Sequence, residues 1–595
     1  MRLNRLRTYL GKRSVSFSGL PLKSKIVRRS TNAVSTLSQS MHHIISRVLQ
    51  FRGVLASEQL DISISGLHTQ ELLSGIDKAE NLIVDAVRSD KKILIVGDYD
   101  ADGATSIAVA IRALRSMGAQ NVEYLVPNRF GFGYGLTVEI VEVAKKMQPD
   151  LIITVDNGIS SISGVAAAKA SGISVLVTDH HLPGETLPAA DAIINPNLFG
   201  DKFPSKMLAG VGVIFYVMAA VRRRLREADW FKLKNIDVPK LSNLLDLVAL
   251  GTIADVVPLD QNNRRLVDYG LRLIRQGRGQ PGISAIIEVA NKKSAEIRSS
   301  DLGFVVGPRL NAAGRLADMS LGVECLLSDE PARCKEIAIQ LSDLNIQRRE
   351  IEDKMREKAF SLISTSLVDD VSLAPAVCLF HEDWHQGVVG IVAARVKEQF
   401  YRPTIAFALV DNNVLKGSAR SIQGVHVRDV LARVSSRNEG LIISFGGHAA
   451  AAGLSIARSD FNEFSKKFEE GVSEVLDADT LNRTISTDGL LLAEDMSLAL
   501  AEELESVSPW GQAFPEPRFD GVFAIKDRRI VGSNHARLTL EPAESGKQIP
   551  AIMFGGADET WYADANVIRM VYRLTINRFR NQKTLQLMIE YAEAV

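Results

Sequence analysis

The stretch Lys92–Gly103 reads KILIVGDYDADG, and few folds accommodate it. Ile93–Val96 is a short apolar run, largely β-branched, of the kind that fills a strand buried on both faces. Gly97 ends it, and Asp98, Asp100 and Asp102 follow at alternate positions. In extended chain such positions point to one side. Three like charges on one side repel unless a cation sits among them. Gly103 lets the backbone turn, and Ala104–Met117 reads as an amphipathic helix. Acids at the carboxyl end of a buried strand, ahead of a crossover helix, stand where open α/β sheets bind their ligands. Alone, the stretch reads equally well as an acidic surface loop; the strands and acids further along the chain separate the two readings.

From about Lys91, apolar runs recur at Ile93–Val96, Val122–Val126, Leu151–Val155, Ser174–Val177 and Ala192–Ile194, with helical periodicity in most of the gaps. This alternation predicts an α/β fold with a parallel, doubly wound sheet. The loop Pro127–Gly135 (PNRFGFGYG) follows the second strand, and its Arg129 is suited to meet an anion. The third strand ends in VDNG, with Asp156 at its carboxyl end. The fourth ends in TDHH, with Asp179, His180 and His181. A helical segment, Leu241–Ala254, then delivers Asp255 in GTIADVVPL. A lone Asp after a strand is usually a helix cap, and a lone His pair is usually structural. Here three strand ends aim oxygen and imidazole ligands at one sheet edge. Carboxylate mixed with imidazole, without thiolate, suits manganese or magnesium better than structural zinc, and the ligands suffice for two ions. Two ions about 3.5–4 Å apart clamp both oxygens of a phosphoryl displacement and generate hydroxide.

With 595 residues the chain is too long for one core, and three or four domains are expected. Lys plus Arg and Asp plus Glu both number 70, so any nucleic-acid surface must be local. Cys325, Cys334 and Cys378 form no CxxC pair, which argues against a disulfide framework or structural zinc and fits a reducing compartment. The longest apolar run, near Ala209–Val221, is too short to span a bilayer. Residues 1–57 lack Asp and Glu. That composition fits a transit peptide or a basic disordered arm that touches nucleic acid. His42 and His43 lie there without acidic company and are expected to be non-functional.

Asp329–Ser366 is charged, helical in pattern and free of glycine and proline after Pro331, as in a long connecting helix. The segment after it carries GGHAAAAG, which brings His448 and several backbone N–H groups into a glycine-rich turn. Such a turn is either a phosphate cradle or a tight strand-to-helix connection. Short strands are expected at Phe519–Ile525, Arg528–Val531, Arg537–Leu540, Ile549–Phe554, Arg569–Ile576 and Thr584–Glu590, with a polar hairpin turn at Arg580–Lys583. About five strands in so compact a run fit an OB-like β-barrel, a fold that binds single strands by stacking bases on aromatics beside basic residues. His535, Arg537, Tyr572, Arg578 and Phe579 are candidates, each also readable as ordinary barrel surface or core.

GDYDADG, VDNG, TDHH and GTIADVVPL, in this order, resemble the four acidic motifs of the DHH phosphoesterase superfamily. GPRLNAAGR (Gly307–Arg315), WHQGVVGIVA (Trp384–Ala393), GSARS (Gly417–Ser421) and GGHAAAAG (Gly446–Gly453) resemble the RecJ family, bacterial 5′→3′ exonucleases specific for single-stranded DNA. The resemblance runs from about residue 50 to the C-terminus. It implies a basic arm at 1–57, a DHH catalytic domain at 58–328, a long helix at 329–369, a smaller α/β DHHA1-like domain at 370–478 and an OB-like domain at 479–595. It implies that Asp98, Asp100 and Asp255 hold one Mn2+ or Mg2+ ion, Asp102 and His180 a second, and Asp156 bridges both. Asp98 stands where many superfamily members have His, which matches RecJ rather than the pyrophosphatases. His181 would contact the scissile phosphate, with Asp179 orienting its neighbours. Arg129, Ser418 and Arg420 would hold the 5′-phosphate, with Asn311 and Arg315 on the strand backbone and His448 at the phosphate turn. The family implies a monomer in the cytoplasm, off the membrane, acting in mismatch and recombinational repair, with a single-strand-binding protein and a RecQ-type helicase as partners. Two other readings are a phosphodiesterase on short oligonucleotides or cyclic dinucleotides, disfavoured by the extra barrel, and a non-catalytic replication scaffold, disfavoured by the intact acids.

Overall fold

The computed structural model of the chain describes residues 24–595 apart from 38–40, 129–132, 134, 368–373, 412, 478–479, 508, 533, 544, 559–564 and 580–581. Its first element is a short strand, β1 (Lys25–Arg28), whose partner comes from far along the chain. The predicted parallel sheet comes next: β2 (Ile93–Gly97), β3 (Val122–Leu125), β4 (Leu151–Val155), β5 (Ser174–Thr178) and β6 (Ala192–Ile194), in the order β3-β2-β4-β5-β6. Every residue of β2 and β4 is buried, which is why both are apolar throughout instead of alternating. The chain leaves β2 for β3 on one side and returns to β4 on the other. The switch point therefore lies between β2 and β4, and the crevice opens beyond their carboxyl ends.

One local expectation fails. Asp98, Asp100 and Asp102 do not alternate along extended chain. Asp100 caps the helix Ala101–Ser116, with Oδ1 accepting from Asp102 N at 2.9 Å and Gly103 N at 3.0 Å, and Asp102 already lies in the first turn. A capping Asp satisfies amides that a helix start leaves open, and that gain outweighs the extended alternative. Gly103 is not a turn residue. A Cβ there would fall 2.4 Å from the Asp98 carbonyl oxygen, so the helix start and the strand end meet only over glycine.

The helix Pro331–Leu367 runs 37 residues, roughly 55 Å at 1.5 Å per residue. Its Ile337, Ala338 and Leu341 belong to the core that contains the helix Ala101–Ser116, whereas Met355, Ala359 and Ile363 pack with Trp384, Val388 and Val392 of the next domain. Anchored in two cores, it is a strut rather than a tether. The second sheet consists of β7 (Val377–Phe380), β8 (Thr404–Asp411), β9 (Val414–Arg420), β10 (Ser444–Gly447) and β11 (Ala451–Ala457), in the order β10-β11-β9-β8-β7. GGHAAAAG is thus the tip of the β10–β11 hairpin and not a strand-to-helix connection.

β12 (Thr484–Thr487) pairs in parallel with β1, and this overturns the disordered-arm reading over the described part of residues 1–57. The helix His43–Gln50 buries Ile44, Ile45, Val48 and Leu49. The acids missing locally are supplied by the C-terminal part. Arg28 holds Asp520 at 2.8 Å, and Arg52 holds Asp488 through bonds of 2.8 and 3.0 Å with both side chains buried. His42 and His43 also have an acid after all: their Nε2 atoms lie 3.8 and 3.6 Å from the buried Asp495. His42 Nδ1 accepts from Ile44 N, and with Asp495 the two rings form a group whose ligand atoms lie within 4.8 Å of one another.

The C-terminal strands are β13 (Phe519–Val531), β14 (His535–Pro542), β15 (Ile549–Met553), β16 (Val567–Phe579) and β17 (Gln582–Ala594), closing in the order β13-β14-β15-β17-β16 as an OB-like sheet. The two short strands expected between Phe519 and Val531 are one bent strand with a bulge between Ile525 and Asp527. The segment leading into the barrel is welded to the catalytic domain, Ser299 Oγ donating to Trp510 O at 2.6 Å, Leu259 N to Gln512 O at 2.8 Å and Arg264 stacking on Phe514, and Phe519 and Phe523 of the barrel join the same core.

Candidate active site

Gly97 of β2 pairs with Val155 of β4, so Asp98 and Asp156 leave the sheet side by side. Asp156 takes a left-handed backbone (φ 61°) that turns it off the strand. The helix Gly210–Glu227 begins against it: a Cβ on Gly210 would fall 2.5 Å from Asp156 Cβ. The same helix start donates Gly210 N and Val211 N to the two oxygens of Asp102, at 2.7 and 3.0 Å. Asp255 caps the helix Leu245–Ala254 and is followed by Val256 at φ 60°, a strained state for a β-branched residue. His180 Nε2 lies 3.1 Å from Asp156 Oδ1 and 3.5 Å from Asp255 Oδ2.

Three ligand groups result, each with its atoms within 4.8 Å of one another: Asp98, Asp100 and Asp156; Asp102, His180 and Asp255; Asp156, His180 and His181. The family resemblance puts Asp255 with Asp98 and Asp100; the structure sets it beside His180 and Asp102. The cause is packing. Asp255 arrives on a helix whose Gly251 sits so close to Asp102 that a Cβ would reach its Oδ1 at 2.7 Å.

The electrostatics are those of a site short of positive charge. Burial and then the neighbouring Asp100 push Asp102 up to about 7. Burial and the surrounding carboxylates also raise Asp156 and Asp255 well above the carboxylate range. Burial, reinforced by His181, lowers His180 to about 4, so it is a neutral imidazole at pH 7. Asp179 is turned the other way. Its Oδ1 contacts His181 Nδ1 at 2.7 Å and accepts from His180 N at 2.7 Å, and its Oδ2 accepts from Ile159 N at 2.9 Å. Burial would raise Asp179, but the His181 bond and these donors hold it below its usual value. Burial would lower His181, yet Asp179, Asp98 and Asp100 raise it overall. Oxygens plus a neutral imidazole, buried and without thiolate, fit a hard divalent cation.

The opposite wall is the second domain. Ser418 and Arg420 lie two apart on β9, Arg420 Nη1 donating to Ser418 Oγ at 3.0 Å and to Ala419 O at 2.8 Å. The first turn of the helix Val389–Phe400 closes on them: a Cβ on Gly390 would meet Ser418 Oγ and Arg420 Nη2 at 2.9 Å. Arg315 joins the walls by donating to Gly387 O at 3.2 Å. Asn311 sits at the acid loop, its Oδ1 accepting from Ala101 N at 2.8 Å. His448 is exposed at the hairpin tip; burial lowers it, as do the neighbouring charges of His181, Arg428 and His426. Arg129 lies outside the described residues. Sequence reasoning missed the Gly210 and Val211 amides that hold Asp102, because backbone donors carry no side-chain signal.

Of the barrel candidates, two are structural. Tyr572 is fully buried, and Arg578 is tied to Glu505 at 2.6 Å. His535 packs edge-on against the exposed Phe554, and Arg537 lies opposite Arg529 across β13 and β14. The side chain of Phe579 lies outside what is described.

The doubly wound sheet and the acids at its switch point define a DHH-type protein, and the model for the DHH family, N-terminal domain, matches residues 92–252. The DHHA1 domain matches residues 370–474 and the RecJ OB domain residues 487–591. The chain is 49% identical over 567 residues to the single-stranded-DNA-specific exonuclease RecJ of Dickeya dadantii, covering 95% of this chain and 98% of that protein. It is 47% identical over 565 residues to that of Escherichia coli, with the same coverage. The crystal structure of RecJ with Mn2+ from Thermus thermophilus matches with a TM-score of 0.79 at 27% identity, covering 96% of this chain and 79% of that one. The chain belongs to the RecJ family of single-stranded-DNA-specific exonucleases.

Proposed function

We propose that the chain hydrolyses single-stranded DNA from its 5′ end to 5′-mononucleotides, in repair and recombination. The carrying observation is the convergence of five carboxylates and two imidazoles on the sheet's switch point, with Arg315 tying the catalytic domain to Gly387 of the domain that carries Ser418 and Arg420. In this reading Asp98, Asp100 and Asp156 would hold one divalent cation, and Asp102, His180 and Asp255 a second, with Asp156 also near His180. When bound, Mn2+ or Mg2+ supplies Lewis acidity that polarises the phosphodiester and lowers the pKa of attacking water. The chain's own residues do the rest. Asp179 fixes the ring of His181, whose raised proton affinity suits it to meet the scissile phosphate or the leaving oxygen. Ser418 and Arg420, backed by the start of the helix Val389–Phe400, cradle the 5′-phosphate, with Arg129 from the loop after β3. Asn311, Arg315 and His448 line the strand's backbone.

Residues 58–328 then form the catalytic domain, 329–369 the strut, 370–478 the end-binding domain and 479–595 the strand track, with β1 and Arg52 tied to that track. No helix among the described residues is long and apolar enough to cross a membrane. A monomer in the cytoplasm, working with a single-strand-binding protein and a RecQ-type helicase, completes the reading. The test is Asp156→Ala with manganese supplied: cleavage of a long single strand is lost while the protein stays folded. Full activity in that variant would remove the metal assignment.

A further inference from the structure

Leu302–Val306 forms a π-helical turn that runs directly into the helix Gly307–Leu316. Such turns cost backbone geometry and collect at functional sites. Leu302, Val306, Leu310 and Ala313 are buried, whereas Phe304, Pro308, Asn311 and Arg315 form the accessible strip at helical spacing. Asn311 on this strip is bonded to the acid loop and Arg315 to the second domain, so the strip lines the cleft. Phe304 continues it away from Ser418 and Arg420, roughly 10 Å beyond Asn311 along the helix axis.

Phe304 is 78% exposed, which is unusual for a large aromatic side chain on a helix. It stands on the shoulder of the metal centre. A Cβ on Gly303 would touch Ile253 Cγ2, and one on Gly307 would touch Ala254 Cβ, both at 3.3 Å, so the π-turn packs on the last turn before Asp255. Val256, 60% exposed, projects from that same place in its left-handed conformation. A π-turn, a strained valine and two bare apolar side chains therefore meet beside one metal-ligand candidate. Nothing else among the described residues covers Phe304 enough to account for it as core.

We propose that Phe304 is a stacking platform for a nucleobase of the substrate strand, on the 3′ side of the scissile phosphate. The ligand is a base of any identity, because every base offers a π-face. Held there, the base fixes how far the strand advances past the metal centre after each cleavage. This rests on the proposed 5′-end pocket, which sets the strand's direction along the strip.

The experiment compares wild type, Phe304→Ala and Phe304→Trp on 5′-phosphorylated single strands with Mn2+, reading the first cleavage against strand concentration. The strands are either natural or carry one abasic nucleotide, placed at successive positions from the 5′ end. On natural strands Phe304→Ala raises the half-saturating concentration roughly five- to hundredfold and leaves the maximal rate within about twofold, and Phe304→Trp restores binding. At one abasic position wild type shows the same loss, and Phe304→Ala loses nothing more. An equal loss from Phe304→Ala at every abasic position, a fall in maximal rate instead, or no loss at all overturns the proposal. If Phe304→Ala fails to fold, the wild-type scan decides, since the absence of any sensitive position overturns it too. Failure of wild type to cut natural strands would instead bring down the nuclease reading itself.

Discussion

Asp102 is held between two backbone amides and a neighbouring Asp100, fully buried, and its pKa of about 7 states how poorly the folded chain tolerates its charge without a cation. Asp156 and Asp255 share the difficulty. An acid whose folded pKa lies above its unfolded value binds more protons in the folded state, so its destabilisation is full above the folded pKa and disappears as pH falls toward the unfolded one. In EDTA the melting temperature should therefore rise as pH drops from 8 to 6, the window set by Asp102. Manganese should raise the melting temperature most at pH 8, where it does not compete with protons. Scanning calorimetry with and without the ion checks both slopes, and a metal-free protein that loses stability between pH 8 and 6 would contradict the charge balance described. Asp98, Asp156, Asp179 and Asp255 are legible in the sequence because each follows an apolar run or helix that fixes its address. The partition of ligands is not legible. It depends on Gly210 and Gly251 letting two helices approach the acids, and such distances leave no pattern in one chain.

Ser418 and Arg420 project from one strand because β9 alternates, and the helix behind them approaches only because position 390 lacks a side chain. Arg420→Ala should weaken capture of a 5′-phosphorylated strand by about ten- to a hundredfold, the worth of a charge-assisted contact. The loss should shrink on a 5′-hydroxyl strand, as steady-state KM on the two substrates will tell; equal losses would place Arg420 elsewhere in the mechanism. The strands of the catalytic sheet are readable because burial on both faces writes uninterrupted apolar runs. The N-terminal segment is not, because β1 and the helix His43–Gln50 find their partners more than four hundred residues away. Local composition shows only unpaired arginines where the fold pairs them. Breaking that clasp should be costly: Arg52→Ala leaves the buried Asp488 with only Arg29 at 3.3 Å and the Arg518 amide, and should remove about 1.5–3 kcal/mol from the urea-unfolding free energy. A change below about 1 kcal/mol would show that the clasp closes only loosely.

The clasp and the welded barrel make the molecule one mechanical unit, with the strut Pro331–Leu367 rooted in two cores. Deleting residues from about 480 onward would therefore strip β1 of its pair and Arg52 of its acid, and that truncation should melt well below the intact chain even though every metal-ligand candidate remains. Track function is better probed on the intact chain. Replacing the half-buried Arg537 and the exposed Phe554 should weaken binding of long strands and flatten its salt dependence, because phosphate contacts release counterions. Phosphate and stacking contacts carry no direct base code, so strands of any sequence should be cut and blunt duplex should be a poor substrate, as digestion of single strands of varied sequence and of blunt duplex will tell. Direction is the claim on which the cleft, the 5′ pocket and the strip of Phe304, Asn311 and Arg315 all depend. The most direct measurement is product analysis from a single strand labelled at its 5′-phosphate and incubated with manganese. The expected first product is the labelled 5′-mononucleotide, with the remainder of the strand shortened from that end. A ladder of labelled fragments shortening from the 3′ end would contradict it.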